Sequence, residues 1–182
     1  MWISSDTNRE VFELDELYWY IKEKARTQTG ENVYVIAAIS LEPRQIVSYS
    51  VTTSKAAGEL QEVVDSAPQA QRYSTDGYHG YCDVDYFGGQ HIRNLRDKSD
   101  THNVESVNAD LRHYISGLAR RSRCFYRSTE TLEAVVSVFV NAYNKFGEAK
   151  LKYRIPTRHK SDPAGRHLHK YRELPFSFLD FL

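Results

Sequence analysis

The sequence predicts an α/β domain built on a mixed sheet, and three observations carry that expectation. Three β-rich segments follow one another near the start of the chain, a helical segment then precedes a fourth, shorter strand, and two amphipathic helical segments fill much of the second half. In order, VFELDELYWYI (11–21) is rich in aromatic and branched residues, ENVYVIAAISL (31–41) is a near-continuous apolar run, and RQIVSYSVTT (44–53) alternates. Gly30 with Glu31 and Asn32 marks the first turn and EPRQ around Pro43 the second, both short enough for antiparallel neighbours. SKAAGELQEVVDSA (54–67) reads as a helix capped by Ser54 and ended before Pro68. QRYSTD (71–76) is a short strand leading into the Gly-rich GYHGY, and FGGQHIRN (87–94) is a further strand.

Two helices follow. In THNVESVNADLRHY (101–114) and the residues after it, Val104, Val107, Leu111, Ile115 and Leu118 recur at helical spacing as a core stripe. Glu105, Asn108 and Arg112 line the edge of that stripe, so they look towards something that is neither core nor open water. STETLEAVVSVFVNAYNKFG opens at Ser128 or Thr129 and stops at Gly147. The expected organisation is a domain over 1–147 and a basic tail over 148–182 that ends in the apolar FSFLDFL. Three antiparallel strands, a helix, further strands and flanking helices is the order of a ribonuclease-H-like domain.

Composition narrows the class. A chain of 182 residues, 41% apolar and 13% aromatic, buries one real core. Cys82 and Cys124 lie far apart without a CxxC pairing, which argues against a disulfide framework or a structural zinc site. The histidines at 102, 113, 159, 167 and 169 suggest zinc by their number, but HLH at 167–169 lacks the spacing of a helical ligand pair and reads as solvated. The start MWISSDTNREVFEL carries acids where a signal peptide needs a basic region, and the run from Val33 to Ile39 is too short to span a bilayer, so a cytoplasmic protein is expected. The net charge of zero conceals a separation: residues 1–90 hold 7 Lys+Arg against 14 Asp+Glu, and residues 91–182 hold 17 against 10. Arg112, Arg120, Arg121, Arg123 and Arg127 fall within one stretch without an acid and with aromatics interleaved, the composition of a surface for a polyanion or of a solvated helix end.

Asp15 in the middle of the first strand, Asp76 at the end of the fourth and Glu105 at the start of the late helix are carboxylates that this topology brings together. Packed carboxylates raise one another's pKa unless cations neutralise them, and oxygen-only ligands suit Mg²⁺ or Mn²⁺. A pair of such ions serves phosphodiester cleavage. Each acid also has an ordinary explanation: Asp76 before Gly77 makes a turn, and Glu105 complements a helix dipole. Asp15, amid Phe12, Leu14, Leu17, Tyr18 and Trp19, is disfavoured without a partner or a metal.

LDELYWYIKEKAR around Asp15, STDGYHGY around Asp76 and NVESVNADLRHYISGLARRSRCFYRS from Asn103 to Ser128 together resemble the DDE transposases of the insertion sequence 1 family of bacterial mobile elements, over roughly Glu13 to Asn144. The most specific part is Glu105 with Asn108 three positions on and Arg112 seven positions on, followed by a basic loop. The resemblance implies a ribonuclease-H-like fold with Asp15, Asp76 and Glu105 as catalytic metal ligands for two Mg²⁺ or Mn²⁺ ions. It also implies Arg112 as a contact to the transposon-end DNA, with Asn108 beside it. Arg120, Arg121, Arg123 and Arg127 would hold phosphates.

The expected activity is DNA cleavage and strand transfer at the ends of a mobile element, by a chain that oligomerises on those ends. The competing expectations are a non-catalytic DNA-binding or oligomerising fragment that regulates a full-length transposase, and a host nuclease of the same fold. Only 14 residues precede Asp15, so an end-recognition region is expected from an upstream reading frame, unless the chain is a truncated remnant.

Overall fold

The computed structural model describes residues 11–21, 31–41, 44–94, 101–119, 125–155, 170–171 and 174–182. Val11–Ile21 (β1), Glu31–Leu41 (β2) and Arg44–Thr52 (β3) form the antiparallel meander that their apolar patterning demands. Helix α1 (Ala57–Ser66) then carries the chain to Arg72–Thr75 (β4), which pairs parallel to β1, and Gln90–Arg93 (β5) adds in parallel at the edge. The sheet order is β3-β2-β1-β4-β5, the mixed sheet of a ribonuclease-H-like domain. Helices α2 (His102–Tyr114) and α3 (Thr129–Lys152) follow, and Arg154–Ile155 (β6) pairs antiparallel with Lys170–Tyr171 (β7) in a separate ribbon.

β1 and β2 are buried on both faces, which is why they read as apolar runs. Phe12, Leu14, Ile36 and Ala38 meet Leu60, Val63 and Val64 of α1 on one face. Leu17, Trp19, Val33 and Val35 meet α2 and α3 on the other, through the expected stripe of Val104, Val107, Leu111, Ile115 and Leu118. The stripe outlasts the helix: α2 ends at Tyr114, and a short 3-10 turn over Ser116–Leu118 keeps Leu118 in the core.

Two local expectations are corrected. Ser54 does not cap α1; its Oγ accepts the Ala56 N–H at 3.1 Å in a turn ahead of the helix, and Ala56 occupies the cap position. Helix α3 opens at Ser128 as expected, whose Oγ accepts the Thr131 N–H at 3.3 Å, but it passes Gly147 and ends at Lys152. Gly147 is not a stop; it lies within the helix facing β3, where a Cβ would meet the Arg44 carbonyl oxygen at an ordinary contact distance of 3.4 Å. Around it Gln45 donates to Glu148 at 2.9 Å, and the Asn144 side chain both accepts from the Ile46 N–H at 2.9 Å and donates to the Ile46 carbonyl at 3.0 Å. The pairing of β3 with β2 shifts register here, and Asn144 satisfies the edge backbone that the irregularity exposes.

One contact sets α2 on the sheet. The Thr101 side chain makes no cap hydrogen bond, and Glu13 of β1, only 2% exposed, takes that role from across the domain. Its Oε2 accepts the Val104 N–H at 2.8 Å and its Oε1 accepts Asn103 Nδ2 at 2.8 Å. A carboxylate is the favoured partner for the positive end of a helix dipole. Arg44 Nη2 donates to the Asn103 carbonyl at 2.9 Å and holds the same turn from β3. Glu13→Ala strips the Val104 N–H of its acceptor and should cost about 2–3 kcal/mol of stability by urea unfolding, with Glu13→Gln losing less.

Candidate metal centre

β4 pairs with β1 only as far as Leu14 opposite Thr75. Beyond that register β1 continues past its pairing with β4, and the next residues on the two strands are Asp15, Glu16 and Asp76. Successive side chains on a strand point to opposite faces, so Asp15 turns towards α2 and Glu16 towards α1. Asp76 leaves the end of β4 between them. One carboxylate oxygen from each of the three lies within 4.8 Å of those of the other two, and all three residues are half-buried.

Each acid has a defined support. Asn108, one turn beyond the Glu13 clamp, is buried and donates its Nδ2 to Asp15 Oδ2 at 2.9 Å. Asp76 does make the turn expected of an Asp before Gly: its Oδ1 accepts the Tyr78 N–H at 2.8 Å. That turn orients the carboxyl without excluding it from the cluster. Glu16 feels the ammonium of Lys55, which lies 3.7 Å from the Tyr78 ring centroid.

The electrostatics follow from this crowding. Burial pushes the Asp15 carboxyl up to about 6; Asp76 and, more weakly, Glu105 add to the rise, against the hydrogen bonds from the Glu16 backbone and Asn108. Burial and then Asp76 push Glu16 up to about 7, against Lys55. The buried Tyr81 hydroxyl is held well above its ordinary value by burial and by the charges of Glu16, Asp15 and Asp76. Glu16 Oε1, Asn108 Oδ1 and Tyr81 Oη are all shielded from solvent without a hydrogen-bond partner, and all belong to this neighbourhood. An all-oxygen donor set with an orphaned carboxylate oxygen and two carboxyls strained towards protonation fits a divalent cation that takes oxygen ligands.

The expected residues fall out as follows. Asp15 and Asp76 are brought together. Glu105 faces them from α2 closely enough to raise Asp15, but the close group of carboxylates among the described residues is completed by Glu16. Glu16 was invisible to sequence reading because strand alternation sends it to the face opposite Asp15. The one available signal was a second acid beside Asp15 in an otherwise apolar strand. Where sequence reading turned Asn108 towards DNA, the structure seats its amide on Asp15. Arg112 is half-buried on the same helix, Arg127 is exposed, and Arg120, Arg121 and Arg123 lie outside the described residues. No helix among the described residues is long and apolar enough to cross a membrane.

A ribonuclease-H-like mixed sheet, with three carboxylates clustered where the parallel pairing of β1 with β4 ends, is the class of fold that this chain adopts. Comparison with family models places the chain more narrowly. The model for IS1 transposase, a DDE family, matches residues 10–146, and the chain belongs to that family. Transposases have DNA as their partner. Comparison with curated proteins finds no match.

The raised carboxyls make a stability prediction with a definite sign. A group whose pKa is higher in the folded state binds more protons there, so stability falls as pH rises from its unfolded value to its folded one. For Asp15 that window runs from 3.8 to about 6, and for Glu16 from 4.5 to about 7. Without divalent ions, Asp15→Asn and Glu16→Gln should each stabilise the chain above this window by on the order of 1–3 kcal/mol, and not below it. Thermal melts across the range check this, at ~2–4 °C per kcal/mol for a chain of this size.

Proposed function

We propose that this chain is the catalytic core of a DDE transposase that cleaves DNA at the ends of a mobile element and transfers the freed strand into target DNA. The observation that carries the reading is the cluster of Asp15, Glu16 and Asp76, oxygens within 4.8 Å of one another, where β1 outruns β4. Asp15, Asp76 and Glu105 would hold two Mg²⁺ or Mn²⁺ ions, with Glu16 as a further ligand. Bound there, the ions supply charge neutralisation, activation of the attacking oxygen and stabilisation of the leaving one.

The chain's own residues prepare that site. Asn108 holds the Asp15 carboxylate in one orientation, and the Glu13 clamp holds Asn108. Arg112, two helical turns beyond Glu105, is assigned to the DNA strand, where a guanidinium binds phosphate bidentately. Arg120, Arg121, Arg123 and Arg127 grip the backbone without reading sequence. The reaction is hydrolysis of a phosphodiester at the element end, then attack of the freed 3′-hydroxyl on a target phosphodiester. It needs neither ATP nor a covalent enzyme intermediate. Assembly on DNA ends is assigned to an oligomer, and the work to the cytoplasm.

Strand transfer from a pre-cleaved end oligonucleotide into plasmid DNA tests the assignment. Asp15→Asn, Asp76→Asn and Glu105→Gln should each abolish Mg²⁺- or Mn²⁺-dependent transfer with the fold intact by circular dichroism, and Asp83→Asn and Asp85→Asn should not. Transfer at the wild-type rate by the Asp15 or Glu105 variant would remove that residue from the site. A chain that binds DNA but gives no strand transfer with any divalent ion would favour a regulatory fragment.

DNA affinity has its own expectation. Phosphate contacts release counterions and carry no sequence information. The chain should bind duplex DNA with a dissociation constant on the order of 10⁻⁴ to 10⁻⁶ M at physiological salt, falling steeply as salt rises. Arg127→Ala should weaken end and scrambled DNA equally and reduce the salt slope by about 1. Tight, end-selective binding in that titration would place a recognition surface on these residues.

A further inference from the structure

Beside the carboxylate cluster the sheet presents an exposed aromatic ring, Tyr18, next to the half-buried Tyr34, which packs against the core under α1. Tyr18 follows Glu16 on the same face of β1 and is 44% exposed, although it sits on the central strand. Its cross-strand partner is Tyr34 of β2, with ring centroids 5.6 Å apart and planes tilted by 48°. The Tyr18 hydroxyl donates to Asn32 Oδ1 at 3.0 Å, so the exposed ring is held in place. Helix α1 covers this face over Phe12, Leu14, Ile36 and Ala38. The Lys55 ammonium lies 5.9 Å from the Tyr34 centroid and 3.7 Å from that of Tyr78, and its charge reaches Glu16.

We propose that Tyr18 and Tyr34, with Lys55 beside them, form a stacking platform for unpaired bases of the DNA strand that enters the carboxylate cluster. The inference rests on the reading of that cluster as a DNA-cleaving site and adds the form in which the strand arrives. A base offers its π face to a side chain only when it has left the duplex stack, and ring stacking tolerates any base. Two residues along a strand place Tyr18 roughly 7 Å from Glu16, about two nucleotide steps at duplex spacing. A phosphate passing from the rings to the cluster comes within reach of Lys55, whose ammonium sits by the Tyr34 and Tyr78 rings and acts on Glu16. Rings for bases and a cation for the backbone are the two parts of a single-strand binding groove.

The test uses the full chain with calcium present to neutralise the carboxylates, and a short oligothymidylate carrying one 2-aminopurine, whose fluorescence is quenched by stacking. The single strand should be quenched on binding, and the same probe annealed to its complement should not. Tyr18→Leu keeps the apolar bulk and removes the π face; it should weaken single-strand binding on the order of tenfold, and Tyr18→Phe, which keeps the ring and loses only the bond to Asn32, should weaken it far less. Lys55→Gln should weaken binding and flatten its salt dependence. Equal quenching of paired and unpaired probes, or wild-type affinity in Tyr18→Leu, would overturn the platform. Neither result touches the cleavage reading, which fails instead on strand transfer that survives Asp15→Asn.

Discussion

β4 pairs with only four residues of β1, and everything at the candidate site depends on where that short ladder ends. In a continuous sheet, Asp15 and Glu16 would be separated by the backbone plane and flanked by strands on both sides. Because β4 stops at Thr75, it no longer pairs with β1 beyond Leu14, and side chains from the two faces of β1 meet there. Asp76 is the first residue past the end of β4, so it arrives at the same place. Position in the ladder, rather than any local motif, makes three acids into one cluster.

The second constraint is the docking of α2. Glu13 lies two residues before Asp15 on the same face of β1 and binds the first turn of α2 through a backbone N–H and a side-chain amide. That fixes the helix along its length and in rotation. Asn108 then reaches Asp15, and Glu105 is close enough to raise it. A buried carboxylate that accepts two hydrogen bonds and caps a helix dipole is well compensated, unlike its neighbours in the cluster. Adjacent acids on one strand therefore divide their work: Glu13 assembles the domain, and Asp15 and Glu16 are left in electrostatic tension.

That tension gives meaning to the separation of charge along the chain. The acidic first half contributes most of the sheet and the cluster, and the basic second half contributes the helix that bears Arg112 and the arginine-rich stretch of sequence after it. A polyanion approaching bare carboxylates is repelled, so the arginines and the divalent charge assigned to the site act in the same direction. The far end of the chain belongs to the same body: Phe178 is 5% exposed against the rings of Tyr114, Phe139 and Phe146. The apolar FSFLDFL segment, which looks like the end of a tail, supplies a core residue between α2 and α3.

What the sequence by itself determined were the properties that live in short-range periodicity. The three meander strands, the stripe from Val104 to Leu118, the Ser128 cap and the order of elements follow from alternation, helical spacing and turn chemistry. Each of these is set by neighbours within a few positions. Asp15 stood out for the same reason, as a charge in an apolar strand. Tertiary structure alone decided which acids meet. Glu16 joins Asp15 only because β4 ends where it does, which no period-two pattern encodes. Glu13 caps a helix about ninety residues away, and Asn108, which edge position alone turned towards DNA, is drawn inward by Asp15. Gly147 reads as a helix stop until β3 is packed against it. These outcomes are pairings between distant segments, settled by the burial and hydrogen bonding that each gains from the other.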